Sequence, residues 1–335
     1  MTIFNPLVDR LPEPEVLSVA GVSDNLTELK TIVLEIVRRV RPDDHAAVAE
    51  TLENDAELAT IVLQACAQIL TVRERRLNDK IRSILMLWAK GSNLDARVAE
   101  FGVKRQILKK GDPNAFPPVP DELESDDDVL LRTLLAPFGF GTTGSELAYQ
   151  FHAMTLGERP YISVASPKDG QVVLTYTFPS GTRPAEVKDA RARMAAPETG
   201  RMNVWILARA GDGTPSAQLL AAETEYLNRA DIRLGTDELT VLPATIVPYQ
   251  IHVRLHGGRW PGGEIDPAPV ELLLRQYADG NHRLETYVDP GHIDHLCRLP
   301  QTVTRAEVLH PAAPIQCDAH QAPYCTGVTV EAVYG

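Results

Sequence analysis

Between Asp55 and Arg105, apolar positions recur at helical spacing. Leu58, Ile61, Val62, Ala65, Ile69 and Val72 come first, then Leu70, Leu77, Ile81, Ile84, Leu85 and Trp88 on a stripe displaced around the axis. The spacing predicts one helix from Leu58 to Lys90, on the order of 45 Å long at 1.5 Å per residue. Gly91 is expected as the left-handed residue that stops it, with Ser92 or Asn93 capping a short helix beyond. Apolar residues cover more faces of this helix than one core can bury, so the pattern points to contact with other chains before it points to catalysis. The charged collar Arg73-Glu-Arg-Arg-Leu-Asn-Asp-Lys80 between the halves has two readings. It is either a solvated face or a set of inter-helix ion pairs that sets register.

The same periodicity predicts an earlier helix with Leu26, Leu29, Ile32, Val33, Ile36 and Val37 on one face. Asp24 or Asn25 would cap it and Pro42 would end it, and a short helix then opens at Asp43 or Asp44. Arg10-Leu-Pro-Glu-Pro14 reads as extended. From Lys109 to Asp128 the chain becomes rich in Pro and acid and reads as a linker stiffened by Pro117, Pro118 and Pro120. It leads into a helix over Val129–Leu135 capped by Ser125 or Asp126. Gly144 lies in a Gly-rich turn before a helix capped by Thr143 or Ser145, with Tyr149 and His152 as core or interface side chains.

After Pro160 the period shortens to two, and strands are expected at Tyr161–Ala165, Gln171–Phe178, Met202–Ala208, Leu239–Leu242, Ile246–Leu255, Thr302–Leu309 and Gly327–Val333. Helices are expected at Pro215–Arg229, Pro267–Tyr277 and Pro290–Leu296. Pro179–Gly200 reads as a polar insertion with a short helix over Ala185–Met194. Helices first and mixed elements later give an α+β fold: an N-terminal long-helix region followed by one or two small mixed domains. The divisions expected are 1–110, 111–157, 158–245 and 246–335.

Composition narrows the function. A net charge of −12 argues against non-specific nucleic-acid binding. No apolar run approaches about 18 residues, so no membrane span is expected. The N-terminus shows no secretion signal. Four irregularly spaced cysteines suit a reducing compartment. One constellation has metal-ligand character: His292-x-x-His295-x-Cys297 with Cys317-x-x-His320 and Cys325. It reads either as a structural zinc site or as ordinary thiols and histidines; the second is adopted, with no metal or cofactor. No Gly-x-Ser-x-Gly or Walker pattern occurs, and no carboxylate pair stands out, so no catalytic residue is assigned. A carbohydrate- or partner-binding module with a helical stalk is the alternative to an assembly protein.

Several collinear segments then resemble the baseplate J-like family of contractile phage tails and R-type tailocins. They are Leu11-Pro-Glu-Pro-Glu-Val16; Arg73-Glu-Arg-Arg-Leu-Asn78 with Ala89-Lys-Gly-Ser-Asn-Leu-Asp95; Glu124-Ser-Asp126 with Leu131-Arg132; and Gly144-Ser-Glu-Leu-Ala-Tyr-Gln-Phe-His-Ala153. Further along they are Ile162-Ser-Val-Ala-Ser-Pro167 with Gly170-Gln-Val-Val-Leu-Thr175; Leu239-Thr-Val-Leu-Pro-Ala244 with Val247-Pro-Tyr-Gln-Ile251; and Tyr324-Cys-Thr326. The resemblance implies a non-enzymatic wedge protein of the virion baseplate, assembled in the host cytoplasm. Two copies would join a related wedge protein, meet a sheath-attaching protein and neighbouring wedges, and close a ring that rearranges to trigger contraction. It implies a bundle interface at Leu58, Val62, Ile69, Arg73, Leu77, Ile81, Ile84 and Trp88. It also implies a three-way junction that includes Gly144, Tyr149 and His152, and a C-terminal pairing domain.

Overall fold

The computed structural model describes residues 12, 14, 16, 18–141, 144–177, 184–258, 265–300 and 302–334. Most of the expected extended opening and Thr143 lie outside them. In chain order the elements are α1 (Val22–Val40), α2 (His45–Glu53), α3 (Leu58–Arg82), α4 (Gly91–Ala99), β1 (Ile107–Lys109), β2 (Glu122–Leu123), α5 (Asp126–Gly139), α6 (Glu146–Met154), β3 (Tyr161–Lys168), β4 (Gln171–Thr177), β5 (Val187–Met194), β6 (Arg201–Ala208), α7 (Ala217–Leu227), β7 (Glu238–Pro243), β8 (Thr245–Gly257), α8 (Pro267–Asn281), β9 (Tyr287–Val288), α9 (Pro290–Cys297), β10 (Val303–His310), β11 (Ile315–Gln316) and β12 (Gln321–Tyr334). Helices and small mixed sheets make this an α+β chain. It divides into two units: Met1–Lys104 with Asp126–Leu131, and Arg105–Ser125 with Arg132–Gly335.

In the first unit α1 begins at Val22, not after Asp24 or Asn25. Gly21 is the extended residue before it, and the Asp24 carboxylate in the first turn accepts the Gly21 N–H at 3.2 Å. Asn25, expected as a possible cap, is buried inside the helix. Pro42 ends α1 as its missing N–H requires, with a single 3-10 turn, Pro42–Asp44, leading to α2.

The long helix is α3, and it stops at Arg82 rather than Lys90. Ser83 accounts for this. Its hydroxyl donates to the Lys80 carbonyl at 2.7 Å, and Ile84 and Leu85 then bond three residues back. Gly91 has the expected positive φ of 52° but opens α4 instead of ending α3. Its N–H donates to the Asp126 carboxylate at 3.2 Å, so neither Ser92 nor Asn93 caps α4. The acidic run opens α5 as expected, with Asp126, Asp127 and Asp128 in the first turn, where the helix dipole favours them.

The second unit begins with a correction. The proline-rich stretch read as an extended linker folds back on itself: β1 pairs with β2, Asp112 bridges Val119, and the Asp121 carboxylate accepts the Gly111 N–H at 2.7 Å. Beyond it, β3 and β4 form a separate hairpin. The supposed insertion carries β5, a strand where a helix over Ala185–Met194 was expected. β5 pairs antiparallel with β6, and β6 runs parallel to β7. The final sheet has the order β10-β8-β12, with β12 parallel and β10 antiparallel to β8. Ile251, Val253 and Leu255 of β8 point to one face of it. There they share a core with Val270 and Leu274 of α8 and Ile293 of α9.

Candidate assembly faces

In the first unit, α3 presents two unlike sides. The side turned inward is small and polar: Thr60, Ala67, Thr71 and Asn78 are all buried. It packs against α1, which runs antiparallel to it, since Arg82 bonds Pro14, Glu74 bonds Ala20, and Thr71 bonds Asn25. The apolar stripe lies roughly half a turn away at about 100° per residue. Leu58 is 75% exposed and Ile69 55%, with Ile61, Val62 and Val72 exposed beside them.

Of the other predicted bundle residues, Arg73 and Leu77 are exposed about a quarter turn from that stripe. Ile84 is exposed, but it lies past the end of the helix; Ile81 and Trp88 are half-buried. The collar fits neither expected reading in full. Arg73, Arg75 and Arg76 are exposed, whereas Glu74 and Asn78 turn into the seam with α1. No single described helix is apolar and long enough to cross a membrane. The pair Pro42–Glu53 and Leu58–Arg82 reaches that apolarity together but is bent by 69°.

In the second unit, two of the junction residues, Gly144 and Tyr149, meet at Asp237. Gly144 has φ of 65°, and a Cβ there would run into the Asp237 carboxylate and the Leu234 side chain. The Tyr149 hydroxyl donates to Asp237 Oδ2 at 2.6 Å and accepts the Leu234 N–H at 3.2 Å. Burial, helped by Asp237, pushes this phenol up to about 12. Ser145 caps α6 by accepting the Ala148 N–H at 3.1 Å, so Tyr149 and His152 are carried on one short helix. His152 is buried with Nε2 unpartnered, and burial followed by the Arg159 charge lowers it to about 4.

A second constellation escaped the sequence reading. Arg132 and Glu124, both fully buried, form a two-pronged ion pair at 2.8 and 2.7 Å. Glu124 also accepts the Gln106 N–H at 3.0 Å, and the Gln106 amide donates to Glu158 at 2.8 Å. One clamp thus ties the β1–β2 fold-back to α5 and to the turn after α6. Glu158 sits above the ordinary carboxylate range because burial outweighs Arg132 beside it. The only sequence signal was that Glu124 and Arg132 fell in matching segments.

The candidate metal residues are dispersed in role. Cys297 lies in the core under β8, its thiol raised to about 11 by burial, and burial also raises Cys317 and Cys325. The His292 ring stacks on Tyr277 at 5.0 Å, and His320 packs near Trp205 at 5.9 Å. Among the described residues, no group of three or more His, Cys, Asp or Glu is placed to hold a metal.

Residues 55–112, which contain α3, α4 and β1, match the Baseplate J-like N-terminal domain. Over 326 residues the chain is 28% identical to baseplate protein J of Escherichia phage P2, covering 96% of each. A matched N-terminal domain thus lies inside a chain that resembles baseplate protein J along almost its whole length.

Proposed function

We propose that the chain is a non-enzymatic structural subunit of a phage-tail baseplate, and that α3 is its main contact with other chains. The observation that carries this is the exposed stripe Leu58, Ile61, Val62, Ile69 and Val72, on the side of α3 opposite its buried seam. Branched apolar side chains in a helical row suit the knobs-into-holes packing of another apolar helix face. The likeness to baseplate protein J gives the setting. In that setting the chain is a wedge component of a contractile tail. Its 1–110 region bundles with a second copy and with a related wedge protein, 111–157 forms the junction, and 158–245 and 246–335 reach a sheath-attaching protein and neighbouring wedges. The closed ring surrounds the tail hub and rearranges when the sheath contracts.

The test is Ile69→Asp, introduced into the chain co-expressed with its genomic neighbours and viewed by negative-stain microscopy. A charge on the stripe costs nothing in the lone chain and is prohibitive inside an apolar bundle. The expected result is a folded chain and no particles. Normal particles carrying Asp at this position would end the proposal.

A further inference from the structure

The orientation of α3 is not the one that apolar burial alone selects. Turning the helix half way round would place Leu58, Val62, Ile69 and Val72 against α1 and put Thr60, Thr71 and Asn78 in water. The Thr60 hydroxyl is buried without a partner in the observed orientation, a further cost of keeping this side inward. Something directional must oppose the roll, and the seam contains it. Asn25 Nδ2 donates to Thr71 Oγ1 at 2.9 Å, both residues being buried. Thr71 Oγ1 also lies 3.3 Å from the Ala20 carbonyl and 3.2 Å from that of Ala67. Glu74 Oε2 accepts the Ala20 N–H at 3.2 Å. The bonds to Asn25 and Ala20 all leave the same side of α3, so a half-turn breaks them together and leaves the Asn25 amide buried and unpaired, whereas the Ala67 bond lies within α3 and turns with it.

We propose that Asn25 and Thr71 are positioning residues, which set the roll and register of α3 on α1 so that the apolar stripe is held outward. The inference rests on the assembly reading only for what the stripe meets; the orientation itself belongs to the lone chain. A buried polar pair in a helix seam specifies geometry at a cost in stability, as a single Asn does in coiled coils. Here it keeps a binding face from being spent on the chain's own core.

Cysteine labelling of the full-length chain tests this without any partner. Cys66, which is exposed, is replaced by Ser, and a reporter is placed either on the stripe (Ile69→Cys) or in the seam (Ala67→Cys). Maleimide incorporation at each site is followed by peptide mapping. In the parent the stripe reporter reacts fast and the seam reporter is protected. In the Asn25→Leu/Thr71→Val double variant the stripe reporter should slow about tenfold and the seam reporter should speed up, with helical circular dichroism retained. Thr71→Ser, which keeps the hydroxyl, should label like the parent. An unchanged labelling pattern in a folded double variant overturns the proposal. So does loss of its helical signal, because the network would then hold the fold together instead of choosing its orientation. Failure of Ile69→Asp to block particle assembly would leave this result untouched.

Discussion

In the sheet β10-β8-β12, Ile251, Val253 and Leu255 are covered by Val270, Leu274 and Ile293 from the two helices behind it. In α3, Leu58, Val62 and Ile69 stand in a row just as regular and face outward, while Thr60, Ala67 and Thr71 are covered. One polypeptide therefore uses the same residue types in opposite ways. The β10-β8-β12 sheet has this apolar face covered within the chain. The helical unit leaves its own unsatisfied and uses polar contacts to hold that arrangement. Apolar periodicity announces that a face will be buried; it does not say by which molecule.

The contrast can be broken at its strongest point, inside the second unit. Arg132→Met removes one half of a dry ion pair and leaves Glu124 buried beside the Gln106 N–H. Stranding such a charge costs about 3–5 kcal/mol. Hydrogen exchange should show the β6 and β8 amides losing protection by that amount. Protection left within about 1 kcal/mol of the parent would mean that water reaches Glu124 and that the clamp is not closed. Leu274→Ala comes next. It empties a fully buried position against β8, and its loss of about 2–5 kcal/mol should appear in the denaturant midpoint of the same unit.

These two sites also differ in how readable they were. Leu274 lies on a helix that was expected from Pro267, because spacing of three and four residues is a local property. The caps at Ser145, Ser216 and Asp266 are local in the same way, each side chain accepting a backbone N–H in the first turn that follows. The Glu124–Arg132 pair depends on where the Gln106 and Glu158 segments come to rest, and nothing near either residue announces that. β5 was read as helix because Ala, Arg, Lys and Met favour one. Its pairing with β6, which buries Ala190 and Ala192, overrides that preference. The inward side of α3 was missed for a related reason: a row of Thr, Ala, Thr and Asn carries no hydrophobic signal, although its heptad-like spacing was there to be seen.

Acid should separate the two units. His152 and His282, both in the second unit, are lowered to about 4, chiefly by burial, with Arg159 and Lys188 respectively adding to the effect. Above pH about 6.5 both histidines are neutral whether the unit is folded or not, so they contribute no slope. As pH falls from about 6.5 towards 4, the unfolded chain takes up protons that the folded unit refuses, and stability declines. Each site should contribute on the order of 1–3 kcal/mol across that window. His152→Asn should flatten its share of the decline, read as the denaturant midpoint of the second unit at pH 7 and pH 5. An acid slope identical to the parent's would show that His152 takes up its proton as readily in the folded unit as in the unfolded chain.

The smallest expected effect is the most informative for the comparison. Ile69→Ala removes the same kind of apolar bulk as Leu274→Ala, but from a side chain more than half exposed. If the stripe is unsatisfied in the lone chain, this change removes almost nothing that folding buries. Thermal unfolding of the first unit should then move by no more than about 0.5 kcal/mol, helped slightly by the higher helix propensity of Ala. A loss approaching that of Leu274→Ala would mean that Ile69 packs within its own chain. The two units would then treat apolar residues alike, and the outward face of α3 would not exist in solution. A near-zero change alongside a large one at Leu274 would show that two sets of apolar residues, equally regular in sequence, have been assigned to different molecules.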